Sequence, residues 1–423
     1  MDPSCHLTSE PGFIEGGHMK LFASLSCLLG ALLVYGHAHA GFTESLPKAT
    51  FLLDVGLVQA NINNAWDNEG NLGPIIDEIK RYEPGGSLQG IIKPNVEARY
   101  LILVNLLQYG ILDNLSLAVG IPVVLETRVE PNLEWEEGDY QWTLGRPYSE
   151  EDFWEWAASM GQPKPGNWSG NQGTLTDMPL GLRYRFTDGF KWFEKHDLAC
   201  AITLLGALPT GSASDPEEAV AAGTTVWNLH FQGEFGVHIS VDKSFKKSLD
   251  ERLIVGLDLF HEILFRHTYT VPKGTKNPLL LNFQPYAGDT YTIDPGDFTG
   301  ASIQVDVVPW KGPARGTWLS GGSAERAREF PPLVSVSLRY TFVRLGQTDW
   351  ESDSELWDWD NKEEDWRPGY KNILFGMVTI SLLRLGIPLQ PYVSYRTQSW
   401  LPGKNFRAGN VLTTGIRIPL KFW

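Results

Sequence analysis

His238 and Ser240 stand two residues apart, and Asp258 follows in the next alternating apolar–polar stretch. Hydroxyl, imidazole and carboxylate are the parts of a nucleophilic hydrolase, in which histidine takes the serine proton and the acid orients the histidine. That chemistry requires a direct Ser–His hydrogen bond, which a spacing of two along an extended chain does not establish. Metal ligation is the second chemistry on offer, because His230, Glu234 and His238 recur at every fourth position. Along a strand rising ~3.3 Å per residue, such side chains are too spread to meet on one ion. Asp358, Asp360 and Glu363 lack the glycine and the spacing of a calcium loop. Neither a metal nor a cofactor is expected, and the chain reads as a non-enzyme.

The element that holds these histidines is WNLHFQGEFGVHISV, residues 227–241. Trp227, Leu229, Phe231, Phe235, Val237, Ile239 and Val241 share one parity; Asn228, His230, Gln232, Glu234, His238 and Ser240 share the other. Period-two alternation of this length is a β-strand with two opposed faces. In a soluble sheet the apolar face meets a core, and in an outer-membrane barrel it meets lipid while the polar face lines the lumen.

The ends of the chain choose between these. Met19–Ala40 reads as a secretory signal peptide, with Lys20, an apolar run from Leu21 to Tyr35 and the small-x-small site Ala38-His39-Ala40. Residues 1–18 before it read as an extension ahead of the true start at Met19. Beyond residue 40 only Cys200 remains, so no intramolecular disulfide is available and an exported domain needs a large core or a closed sheet. No later segment has the run of 18 or more apolar residues of a membrane helix. The last stretch, NVLTTGIRIPLKFW, puts Leu412, Ile416, Ile418, Leu420 and Phe422 opposite Thr413, Arg417 and Lys421. An exported chain that closes on an amphipathic aromatic strand resembles bacterial outer-membrane barrels, whose assembly machinery reads that strand.

Similar alternation recurs in 178–186, 252–259 and 333–342, and weaker strands are expected at 50–62, 94–109, 115–126, 198–208, 299–309, 372–382 and 389–400. The expected fold is all-β: residues 41–423 as an antiparallel up-and-down transmembrane barrel of about twelve strands, fourteen if 311–330 hides a hairpin. Long loops at 63–94, 129–173, 270–297 and 346–370 would lie outside, and short turns at 111–114, 187–197, 242–251 and 383–388 in the periplasm. That asymmetry is characteristic of outer-membrane barrels, as is an aromatic supply of 16 Trp and 14 Tyr for interface girdles.

On this register the inward, pore-lining residues are Arg183, Arg185, His230, Gln232, Glu234, His238, Asp258, Arg339 and Arg396. Hairpin pairing places Glu234 opposite Asp258 or Phe260 and His230 near Glu262, a ladder of opposite charges that either lines a channel for a small hydrophobic solute or closes it. The acidic loops carry Trp135, Trp154 and Trp156, then Trp357 and Trp359, as candidate stacking platforms for sugars or aromatic solutes. Their carboxylates could share divalent cations with lipopolysaccharide phosphates, and the alternative is that they are solvated and their tryptophans pack locally. Within them SEEDFWEWAASM reads as a short helix, capped by Ser149 and Asp152. A net charge of −15 argues against nucleic-acid partners and leaves membrane lipid, lipopolysaccharide and the barrel-assembly machinery.

Three stretches in order, YGILDNLSLAVGIPVV (109–124), DMPLGLRYRF (177–186) and ITLLGALPTGSA (202–213), resemble the transporter-like outer-membrane family associated with meta-pathway phenol degradation. The resemblance covers about a hundred residues and rests on strand and turn positions. It implies an outer-membrane barrel concerned with uptake of hydrophobic or aromatic compounds, and it transfers no catalytic or binding residue. The tryptophan-rich insertions at 129–173 and 346–369 depart from the compact family pattern.

Overall fold

Alternating stretches become strands when each can pair on both sides, and here the pairing closes on itself. The computed structural model describes residues 42–75, 78–83, 86–138, 145–159, 164, 166–170, 172–211, 233–250, 252–270, 290–314, 330–352 and 368–421. Twelve strands form the barrel: β1 (Thr50–Trp66), β2 (Leu88–Leu112), β3 (Leu115–Glu137), β4 (Met178–Arg185), β5 (Leu198–Leu208), β6 (Glu234–Ser244), β7 (Leu253–Leu264), β8 (Phe298–Trp310), β9 (Val334–Leu345), β10 (Gly369–Ile380), β11 (Gln390–Thr397) and β12 (Phe406–Lys421). Each pairs antiparallel with its neighbours in sequence, and β1 pairs with both β2 and β12, so no edge is left. Pairing of β8 directly with β9 leaves no place in the wall for a hairpin from 311–330, so the number is twelve and not fourteen.

One end carries tight connections, such as Asp113–Asn114, the turn with helix Lys191–Lys195, and the turn at Lys246–Leu249, with the long 311–333 connection as its exception; the other carries most of the long loops. Strands reach further toward the long-loop end than alternation alone indicates. The stretches 88–94 and 129–137, expected within the loops 63–94 and 129–173, are strand. The reason is a reversal of polarity along the strands. Near the short-turn end the outward side chains are apolar and exposed, among them Leu57, Tyr109, Leu117, Leu182, Ile239, Leu257, Leu259, Ile303, Leu338 and Ile416. Toward the long-loop end the outward positions become Gln59 and Asn63, then Asn95 and Arg99, then Arg128 and Asn132, while Ile62, Val96, Ala98 and Val129 turn inward and are buried. Outward ion pairs Arg99–Glu97, Arg128–Glu126 and Lys93–Glu136 decorate this part. Below the reversal the barrel has lipid chemistry, and above it the chemistry of a soluble β-barrel. A search for polar-inside alternation stops where the two meet.

The tryptophan-rich loop builds on this collar. Helix α1 (Glu150–Ser159) lies against the inner face of the β2–β3 extension, where Phe153, Ala157, Tyr148 and Ile92 are buried and Trp135, Trp154 and Trp156 pack around them. Gly90 is required there, since a Cβ would run into the Trp135 ring. The expected capping box forms: Ser149 Oγ accepts from the Asp152 N–H at 3.3 Å, and Asp152 accepts from the Ser149 N–H at 2.8 Å. Arg146 also holds the Asp152 carboxyl below the ordinary aspartate range, with the Ser149 bonds adding to it. A depressed carboxyl stabilises the docked helix above its unfolded pKa, and that contribution is lost as pH falls through the folded one. Ser149→Ala should therefore expose 145–159 to protease at neutral pH, costing about 1 kcal/mol of local stability. Acidification of the parent protein should do the same; equal cleavage rates would remove the cap from the account.

Candidate functional site: the barrel lumen

Inward-facing side chains divide into two layers. The short-turn half is polar and carries a dense set of hydrogen bonds between neighbouring strands. On the β6–β7 pair, His238 Nδ1 lies 2.9 Å from Asp258 Oδ2, and its Nε2 lies 3.3 Å from Glu262 Oε1. Ser240 Oγ donates to Asp258 Oδ1 at 2.6 Å, and the His238 ring stacks on Phe260 at 5.1 Å. On β8–β9, Gln304 donates to both oxygens of Asp306 at 2.9 and 2.7 Å and accepts from Arg339 Nε at 2.6 Å; Ser337 also donates to Asp306. At the closing seam Asp54 accepts from Arg417 and Tyr392, each at 2.8 Å. Buried polar groups in such a space must find partners, and strand pairing supplies them at fixed heights.

The long-loop half is apolar on two walls. Val58, Ala60, Ile62, Ala98, Ile102, Val124 and Val411 belong to one buried cluster from β1, β2, β3 and β12, joined by Ile75 from the loop after β1. Phe298, Val343, Leu345, Ile373 and Phe406 form the second, from β8, β9, β10 and β12. Lys371 sits within the second wall, its ammonium 4.2 Å from the Phe406 ring centre and 5.7 Å from that of Phe298, a cation–π arrangement that holds a charge among apolar side chains.

The expected inward residues can now be placed. Arg183, His238, Asp258, Arg339 and Arg396 are buried on the lumen side, Glu234 points inward at the start of β6, and Arg185 is half-buried and binds Asp188 at the short-turn rim. His230 and Gln232 lie outside the described residues, as do Trp357, Trp359 and segment 19–40, expected as a signal peptide. The hairpin register differs from expectation. Glu234 pairs with Leu264, not Asp258 or Phe260; His238 pairs with Phe260, and Ser240 with Asp258. β6 runs on to Ser244 and a helical turn at Lys246–Leu249 follows, which moves the hairpin centre toward the C-terminus. The slip is by an even number of residues, so it changes partners but not faces. What alternation missed is the apolar half of the lumen. Its only trace in the sequence is the run YLILVNLL (100–107), which is apolar on both parities except at Asn105.

The hydrolase geometry is not met among these groups: Ser240 and His238 both address the carboxylate of Asp258, so the hydroxyl proton is committed to the acid and not to the imidazole. Trp154 and Trp156 are likewise occupied, the one donating to Glu150 at 3.1 Å, the other stacked under Arg81 at 3.7 Å.

A closed sheet of twelve strands, apolar outside and polar inside over its short-turn half, defines a transmembrane β-barrel of the outer-membrane kind. The fold is similar to that of the COG4313 outer membrane channel from Pseudomonas putida F1, with a TM-score of 0.51 at 10% identity, over 91% of this chain and 100% of that one. Weaker likenesses are to the NanC porin (TM-score 0.33, 7% identity, 87% and 100% covered) and the CymD monoaromatic hydrocarbon channel (0.30, 11%, 98% and 95%). No family profile and no curated protein sequence matches the chain.

Proposed function

We propose that this barrel carries small apolar or aromatic solutes across the outer membrane, its short turns in the periplasm and its long loops outside. The observation that carries the reading is the apolar lining of the long-loop half of the bore, described above. A lumen that served only water-soluble solutes would be polar along its length. These side chains are closed on one another, with Val58, Ala60, Ile102 and Val124 all 0% exposed, so a solute entering from outside must part them, and an apolar one gains ~25 cal/mol per Å² of apolar surface it covers. The resemblance of 109–124, 177–186 and 202–213 to the phenol-degradation family supports the same solute class. A surface-binding barrel, with tryptophans offered to lipopolysaccharide or a partner, is less well supported because Trp135, Trp154 and Trp156 are taken up in the α1 core.

Uptake of a radiolabelled monoaromatic hydrocarbon by cells expressing the barrel tests the reading. Ile102→Asn, in the middle of the apolar wall, should lower that uptake several-fold while the protein keeps its heat-modifiable mobility. Uptake equal to that of cells lacking the barrel would sink the proposal.

A further inference from the structure

The short-turn half of the lumen also holds a piece of the chain that belongs to no strand. Residues 42–49 leave β1 at Thr50 and run into the bore. Near β1 the segment is moored to the β2–β3 turn: the Lys48 N–H donates to Asp113 Oδ1 at 2.9 Å, Ser45 Oγ to the Asp113 carbonyl at 2.7 Å, and the Ala49 N–H to the Gly110 carbonyl at 2.8 Å. Midway, Arg183 of β4 donates to the Glu44 carbonyl at 3.2 Å. At the far end the Phe42 and Thr43 N–H groups donate to Asp242 of β6 at 3.0 and 2.6 Å, and Thr43 Oγ adds a third bond at 2.7 Å. The Phe42 ring is 1% exposed and sits 4.5 Å from the Arg339 guanidinium of β9. It lies against Gly256 of β7, where any Cβ would collide with the ring and with the Asp242 carboxylate.

Counted around the ring, β7 is six strands from β1 in either direction, so the segment crosses the full width of the bore. A twelve-stranded barrel with strands ~4.8 Å apart and tilted ~40° has a backbone diameter of roughly 24 Å. Eight residues reach at most ~26–29 Å when fully extended, and the turn closed by the Thr50 N–H on the Pro47 carbonyl at 3.0 Å takes up part of that reach, so side chains of the far wall, Asp242 and Arg339, extend inward to meet the segment. Its three bonds at the far wall are charge-assisted, and two of them are made by main-chain donors, which bind an extended peptide whatever its side chains. Asp242, Gly256, Arg183 and Arg339 thus make a peptide-binding site on the lumen wall, with Phe42 as its anchor.

We infer that residues 42–49 are a tethered stopper, seated in this site, that narrows the short-turn half of the bore and sets how readily it passes ions and solutes. The inference rests on the barrel acting as a channel, but its readout is ion current and not hydrocarbon uptake. Planar-bilayer recordings should show that deleting residues 42–46 raises single-channel conductance several-fold. Asp242→Asn, which keeps the shape and weakens the charge-assisted bonds, should give frequent openings to the same higher level. A synthetic peptide of residues 42–46 added on the short-turn side should block the deleted barrel. If the deletion does not assemble, Phe42→Ala combined with Thr43→Val carries the same test. Conductance in the folded variants equal to that of the parent, including none in either, overturns the stopper. Hydrocarbon uptake with current indifferent to the deletion would leave the transport reading standing and remove the stopper; raised current without uptake would do the reverse.

Discussion

Ile239→Arg is expected to cost the folded barrel ~2–4 kcal/mol, a shift of roughly 30- to 900-fold in the folding equilibrium. Ile239 lies in the middle of β6, 52% exposed, and pairs with Ile202 on one side and Leu259 on the other. All three face outward, so a guanidinium there has no lumen or ion partner to meet and must drag water or headgroups to mid-membrane depth. The control is Asn95→Arg, also outward but on the β2 extension above the polarity reversal, where its cross-strand partner is the exposed Asn132. It should be nearly neutral. Unfolding in lipid vesicles, followed by heat-modifiable mobility, measures both. Tolerance of arginine at both sites would mean that no lipid belt surrounds the barrel, and intolerance at both would erase the boundary between belt and collar.

How much of this was legible in the sequence depends on which layer is considered. Where lipid surrounds the wall, period-two alternation reports orientation directly: Phe235, Val237 and Ile239 against His238 and Ser240 point as their parity indicates, and so do Leu412 and Ile416 against Thr413 and Arg417. Arg183, Asp258, Arg339 and Arg396 were found on the inner face because face depends only on parity, and the register slip between β6 and β7 was even. Partners were not legible. That Asp258 serves His238 and Ser240 depends on where the hairpin turns, and Lys246–Leu249 has no strong turn signature. The collar stretches 88–94 and 129–137 read as loop because their outward residues, such as Lys93, Glu130, Asn132, Glu134 and Glu136, have the chemistry of loops and not of lipid-facing strands. Segment 42–49 was invisible for a different reason. Nothing in FTESLPKA distinguishes a linker from a strap; its role comes from Asp242, some 200 residues away in sequence.

Asp54→Ala should destabilise the barrel by about 3–5 kcal/mol, the loss typical when one member of a buried ion pair is removed. Asp54 and Arg417 are direct cross-strand partners at the β1–β12 seam, their side chains only 6% and 3% exposed. Tyr392 of β11 reaches over Gly415 and Gly56, which leave room for its ring, to donate to the same carboxylate, and the Arg417 guanidinium lies 4.4 Å from that ring. Removing the acid strands a buried cation and a buried hydroxyl at the pairing that joins the two ends of the sheet. Every other pair of adjacent barrel strands is also adjacent in sequence; this one must be made across the whole barrel and carries the largest loop-closure cost. If the damage is the orphaned charge, Asp54→Ala with Arg417→Met should be more stable than Asp54→Ala alone, with a coupling energy of about 0.5–3 kcal/mol in a double-mutant cycle. Urea midpoints in lipid vesicles supply the four corners. Additive losses would show that Asp54 and Arg417 act independently, and the seam would then be held by its backbone ladder and not by the charges it encloses.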